Sequence, residues 1–192
     1  MDGTRRTKGT KTMSEYNNTE SYEDWSRREK VPIQYRLYKG IKGKFGALRM
    51  NLKNPYVSRD PKKKEGVIFL EMAPTTGQPN DYDWINSKIT IALSIPDIAK
   101  IILFLRNPTH ESFSKTGSLK IMHDKGAGTY NKGQQVKTLE VSKPENMRNF
   151  MFGLYQKENE TVTKVQVPVS TDEAIVISTL LQAAIPRILS WT

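Results

Sequence analysis

The chain has 192 residues, no cysteine and two histidines, and its 30 Lys+Arg against 20 Asp+Glu give a net charge of +10. That length suits one domain with a sizeable core, while the absent thiols exclude disulfides, thiolate metal sites and a cysteine nucleophile, and two histidines make no polyhistidine metal centre. Apolar runs such as Ile101 to Leu105 fall far short of the ~20 residues of a membrane span, so a soluble, intracellular protein without membrane association is expected.

Residues 1–30 hold seven of the basic and six of the acidic side chains, which leaves +9 on residues 31–192. The segment has no periodic apolar face and reads as a disordered polar tail. It shows neither the apolar stretch of a secretory signal nor the acid-poor composition of a transit peptide. From Ile33 onward, β-rich runs alternate with turn-formers and predict strands at Ile33–Lys39, Lys44–Leu52, Gly66–Ala73 and Lys88–Leu93. The period then changes. Ile98, Ile101, Ile102 and Leu105 recur at helical spacing after Ser94, Pro96 and Asp97, the signature of a capped helix start, with Asn107-Pro108 as its stop.

The second half repeats the order: strands at Ser118–His123, Gln135–Val141, Asn149–Gln156 and Thr161–Val169, then a helix after Ser170 with Glu173 completing a capping box. At an offset of 76 residues, from Ser94 to Ser170, Ile89 falls on Val165, Ile91 on Val167, Leu93 on Val169, Asp97 on Glu173, Ile101 on Ile177 and Leu105 on Leu181. The expected fold is therefore α+β: a duplicated ββββα unit, with halves at about 33–107 and 117–191 within a domain of residues 31–192.

The last predicted helix, about Thr171–Ser190, is apolar over more than the stripe one sheet can bury. Burial between subunits of a closed symmetric oligomer explains this, with Ile177, Leu181, Ile185, Ile188, Leu189 and Trp191 as interface candidates. The alternative is a helix held between two sheets of one chain. Pro186 removes an amide donor and is expected to kink the helix.

Enzymatic constellations are thin, and no catalytic residue, metal site or cofactor is assigned. Asp81 and Asp83 could hold a divalent ion in a nuclease, but in a Gly/Pro/Asn-rich loop they read better as turn chemistry. His123-Asp124 lacks a nucleophile in an elbow context and reads as a strand-end turn. Basic residues carry more signal. Lys39-Gly40-Ile41-Lys42-Gly43-Lys44 reads as a backbone clamp for phosphate, without the spacing of a nucleotide loop. Period-two alternation places Lys88, Thr90 and Ala92 opposite Ile89, Ile91 and Leu93, Lys120 and Met122 opposite Leu119 and Ile121, and Tyr155 opposite Phe152 and Leu154. One face of each sheet is thus apolar and the other carries cations, amides and aromatics. Such a face suits single strands, whose free bases stack while lysines follow the phosphates; the plain alternative is an ordinary solvated face. A duplex reader more typically offers a basic helix, and these helices are apolar.

Four stretches carry a family resemblance. Lys42-Gly43-Lys44 followed by Gly46-Ala47-Leu48, then Tyr82-Asp83-Trp84 before a strand and Ser-capped helix, then Met122-His123-Asp124 before a Gly/Lys loop, and finally Ala184-Ile185-Pro186-Arg187-Ile188-Leu189-Ser190-Trp191 resemble, in order and spacing, segments of the Whirly single-stranded-DNA-binding proteins. Arg49 stands where that family usually has serine. The resemblance spans about residues 34–191 and implies two antiparallel four-stranded sheets packed across each other, two helices that join four protomers, and single strands lying along sheet edges. On this reading the partner is single-stranded DNA, with RNA as the rival ligand and transcription regulation as a further alternative. The residues expected to bind it are Lys42, Gly43, Lys44, Arg49, Lys88, Lys120, Lys125 and Lys137, with Trp84, Tyr130 and Tyr155 for stacking.

Overall fold

The computed structural model describes residues 34–191 apart from 41–43, 58–62, 65, 115, 126–134 and 146. The expected tail at 1–30, and Lys42, Gly43 and Tyr130 of the expected site, lie outside the described residues. The first half contains β1 (Gln34–Tyr38), β2 (Ala47–Lys53), a short pair β3 (Tyr56–Val57) and β4 (Lys63–Lys64), β5 (Val67–Ala73), β6 (Ile89–Leu93) and helix α1 (Ile95–Arg106). A one-turn helix α2 (Glu111–Ser114) leads to β7 (Ser118–Asp124), β8 (Gln135–Ser142), β9 (Phe150–Glu158), β10 (Thr161–Val169) and helix α3 (Thr171–Leu189). Sequence periodicity predicts all eight long strands and both long helices within a few residues. The β3–β4 pair and α2 are too short to show a period, and were not expected.

The long strands form two antiparallel sheets, ordered β1-β2-β5-β6 and β10-β9-β8-β7. Each helix follows the last strand of its own sheet, so the duplicated ββββα order is realised in three dimensions. Both capping boxes are closed. Ser94 Oγ accepts from the Asp97 amide while Asp97 Oδ2 accepts from the Ser94 amide at 3.0 Å, and Glu173 Oε2 accepts from the Ser170 amide at 2.9 Å. Each box satisfies two amides that an isolated helix end leaves without partners.

The pleat sends alternate residues inward. Leu48, Met50, Ile68, Leu70, Ile89 and Ile91 of the first sheet and Leu119, Ile121, Leu139, Phe152, Leu154 and Val167 of the second are buried in one core with Ile98, Ile101 and Phe104 of α1 and Ala174, Ile177, Leu181, Ala184 and Ile188 of α3. The apolar positions matched at the 76-residue offset are buried in both halves, Ile101 with Ile177 and Leu105 with Leu181 among them. This corrects one expectation. Ile177, Leu181 and Ile188 are at most 1% exposed within a single chain, and so belong to its own core rather than to an interface. Ile185 packs partly buried against that core, Leu189 is half-buried, and Trp191 is exposed.

α3 remains helical past Pro186 to Leu189 and ends at Ser190, whose left-handed backbone (φ 57°) lets its amide reach the Arg187 carbonyl at 3.2 Å and the Trp191 amide the Pro186 carbonyl at 2.9 Å. This paired ending is a Schellman arrangement, where glycine has no Cβ penalty. Among the described residues no helix is long and apolar enough to cross a membrane.

The two sheets approach each other closely at Gly46, just before β2. Its amide donates to the Gln166 carbonyl of β10 at 2.9 Å, and a Cβ there would lie 2.3 Å from the Ala73 carbonyl oxygen and 2.5 Å from Val165 Cγ1. No alanine fits without moving backbone. Gly46→Ala is therefore expected to lower unfolding free energy by about 1–3 kcal/mol or more, and Ser170→Ala by about 1 kcal/mol through the lost cap, both measured by urea denaturation. A Gly46→Ala protein as stable as the parent contradicts the close approach.

Candidate nucleic-acid interface

The strands bring the expected site residues together in three groups, two on outward rows and one in a cleft where the core-facing row of the second sheet runs past the apolar core to Lys137 and Gln135. On the first sheet, Arg49 of β2, Glu71 of β5 and Thr90 of β6 are cross-strand neighbours, with Lys88 just before β6. Glu71 lies at their centre. Its Oε2 accepts from Arg49 Nε at 2.7 Å and Asn51 Nδ2 at 2.7 Å, and its Oε1 from Lys88 Nζ at 2.9 Å and Thr90 Oγ1 at 3.3 Å. Burial pushes the Glu71 carboxyl up, but the hydrogen bonds from Lys88 and Arg49 and their positive charges outweigh it and hold the group below its ordinary 4.5. Two of the expected phosphate ligands thus already have an anion between them.

The Arg49 guanidinium also stands 4.5 Å from the Trp84 ring centroid, a cation–π contact. Trp84 itself packs against the small cluster of Ala47, Ala73 and Tyr82. It covers the end of the sheet, and one of its contacts is already taken. Tyr38, half exposed, lies 5.4 Å from Tyr82 between ring centroids. The Tyr82 hydroxyl accepts from the Gly40 amide at 2.8 Å, and a Cβ at Gly40 would sit within 3 Å of that ring. The Gly40 amide, read from sequence as part of a phosphate clamp, is therefore engaged with a tyrosine. Lys44 is exposed.

The second group lies on the outer face of the second sheet. Lys120 of β7, Glu140 of β8 and Gly153 of β9 share one register row, and Met122, Thr138, Tyr155 and Lys164 the next. Tyr155 donates to Glu140 Oε2 at 3.1 Å, and its ring lies over Gly153, where an added Cβ would approach Cε2 to 3.0 Å. Lys164 Nζ stands 5.0 Å from the ring centroid. Met122 is 68% exposed on this face. Lys120, largely exposed, reaches the partly exposed Glu140 at 3.4 Å, a pair of little energetic weight.

The third group lines a cleft of about 730 Å³ between the β6 edge of the first sheet and the neighbouring end of the second. Phe69, Thr90 and Ala92 come from one side, and Lys125, Gln135, Lys137 and Gln156 from the other. Lys137 Nζ donates to the Thr90 carbonyl at 2.8 Å, tying the sheets across the cleft. Its pKa is lowered, by burial first and then by the charge of Lys125, with Glu158 acting in the opposite direction. Gln135 Nε2 donates to Glu158 at 3.2 Å. The sequence reading missed Phe69, Glu71, Gln135, Gln156 and Lys164. Alternation along β5, which sets Phe69 and Glu71 on the same side as Arg49, was the available signal for the first two.

The acidic pairs weighed as enzyme groups are engaged otherwise. Asp83 accepts from the Asn86 amide at 2.8 Å and Ser87 Oγ at 2.6 Å, and Asp81 from Thr76 Oγ1 at 2.7 Å; both are turn chemistry. His123 faces not Asp124 but Asp97, at 3.1 Å, the carboxylate that caps α1.

The fold and these faces define a duplicated α+β protein whose polar, basic and aromatic side chains lie on its sheets, with its helices turned apolar. A family model described as "Whirly transcription factor" matches residues 41–180, and the chain belongs to the Whirly family. No curated protein sequence matches it. Among solved structures it is similar to the plant transcriptional regulator PBF-2, with 25% identity, a TM-score of 0.67 and coverage of 85% of each chain. WHY3 from Arabidopsis thaliana is 22% identical, with a TM-score of 0.66 over 83% of this chain and 89% of that one. A guide-RNA-binding protein complex bound to a guide RNA shares the fold at 12% identity and a TM-score of 0.52, over 83% of this chain and 94% of that one.

The Glu71 network gives stability a pH dependence. A carboxyl whose folded pKa lies below its unfolded value contributes stability above about pH 4.5 and loses it as pH falls through the folded value. Glu71→Gln is expected to be about 1–3 kcal/mol less stable than the parent at pH 7, and the gap should narrow as pH falls from 5 to 3 in urea melts. A gap that stays constant over that range argues against an ionised Glu71 in the folded state.

Proposed function

We propose that the chain is a non-catalytic single-stranded-DNA-binding protein with little sequence preference, working as a homotetramer in replication, recombination or repair. One observation carries this reading: cations, amides and aromatic rings occupy the outer rows of both sheets and the cleft between them, while the helices offer apolar surface. Sheet faces with this composition suit unpaired bases and a flexible phosphate chain. Lys120, Lys125 and Lys137 are the phosphate ligands, Lys88 joins them in competition with Glu71, and Tyr155 and Phe69 are the bases' contacts.

The tetramer rests on a different face. α3 buries one side in its own core and leaves Ile175 62%, Val176 43% and Leu180 40% exposed on another, with Leu103 of α1 38% exposed. These replace Ile177, Leu181 and Ile188 as the interface residues. A second copy supplies the missing cover in a closed assembly.

Transcription regulation is a second reading, favoured by the description of the matched family and by the similarity to PBF-2; it uses the same surfaces. RNA is the rival ligand, and the shared fold of the guide-RNA-binding complex supports testing it.

Binding of labelled single-stranded DNA, duplex DNA and RNA should rank the single-stranded DNA first. Its affinity should fall with salt by about 0.7 log units per log salt for each phosphate neutralised, and Lys125→Ala/Lys137→Ala should make that slope shallower by about 1.4. An affinity unchanged from low to high salt eliminates the reading. In light scattering the parent should have the mass of four chains and Val176→Glu/Leu180→Glu that of a smaller species; a monomeric parent removes the tetramer.

A further inference from the structure

We infer that Glu71 is an internal counter-anion of the binding face: its carboxylate stands between Arg49 and Lys88 where a strand phosphate would otherwise lie, and so limits the charge the face offers to a polyanion. This rests on the nucleic-acid reading above. Two cations and one anion leave this group at +1 rather than +2, and they are locked in register because Arg49, Glu71 and Thr90 sit on three adjacent hydrogen-bonded strands.

The two cations are not equivalent. Arg49 is held at 2.6–2.7 Å by Glu71 through two nitrogens and lies against Trp84, with its side chain 20% exposed. Turning it outward would take two hydrogen-bonding nitrogens from a carboxylate that is itself only 8% exposed and leave that charge poorly compensated, which is costly. Lys88 is 35% exposed and holds Glu71 by a single contact at 2.9 Å. It sits on a flexible stem and can leave, because Arg49, Asn51 and Thr90 still satisfy the carboxylate. A passing phosphate therefore draws Lys88 away from Glu71, and the strand exchanges one anion for another instead of meeting two free cations.

The test is the salt dependence of binding to a labelled oligothymidylate by the full-length chain. Glu71→Gln frees a second cation and should steepen the slope by about 0.7 log units per log salt, so that the ratio of variant to parent affinity grows about fivefold for a tenfold drop in salt. Lys88→Gln/Glu71→Gln leaves Arg49 alone, again at +1, and should restore the parent slope. This double variant also serves if the single one fails to fold. Urea midpoints measured alongside separate the two roles, since a merely structural Glu71 moves the midpoint and leaves the slope alone. A Glu71→Gln slope equal to the parent's overturns the inference, as does a double variant shallower than the parent by about 0.7. In either case the parent's own salt slope leaves the single-strand reading standing, whereas a parent that binds no oligonucleotide overturns both.

Discussion

Two sheets share one apolar core, and everything else in the molecule follows from that constraint. Each strand must hide every second side chain, so the intervening residues are forced outward whatever they are. Leu48, Met50 and Leu70 go in; Arg49, Asn51 and Glu71 therefore go out, at fixed positions across neighbouring strands. A side-chain array with a spacing set by hydrogen-bonded strands is rigid in a way a loop is not. The polar faces inherit their geometry from the core they do not touch.

Glu71 shows how far such a face can depart from a simple solvated surface. A carboxylate nearly removed from water is costly to keep ionised, and the cost is offset here by two cations, an amide and a hydroxyl arranged around both of its oxygens. Trp84 seals one side of Arg49, and Tyr82 seals the Gly40 backbone nearby. The first sheet therefore carries a prearranged polar network, while the second carries wetter, more independent lysines around Tyr155. Lys137 crosses from one to the other and binds a backbone carbonyl, so the cleft is braced by one of the groups proposed to work in it.

The helices carry a different surface. Their inward stripes complete the core, and the outer side of α3 mixes polar residues such as Thr179 and Gln182 with exposed Ile175, Val176 and Leu180. The exposed apolar patch of Ile175, Val176 and Leu180 on α3 is thus separate from the polar networks of the sheet faces.

The order of strands and helices, the duplication at 76 residues and both capping boxes were legible in the amino-acid sequence, because these are local patterns: alternation, helical spacing, and Ser three residues before an acid. The basic character of the sheet faces was legible for the same reason. Which residues meet was not. Glu71 is one polar residue in the otherwise apolar run of β5, and only the pairing of β2, β5 and β6 sets it between Arg49 and Lys88. His123 adjoins Asp124 in sequence, yet chain packing gives it Asp97. The apolar residues of α3 were visible as a set, but their division into a buried stripe through Ile177, Leu181 and Ile188 and an open one through Ile175, Val176 and Leu180 depends on the angle at which the helix lies on the core. Periodicity reports the face a residue belongs to; its partner across that face is decided by contacts between segments far apart in the chain.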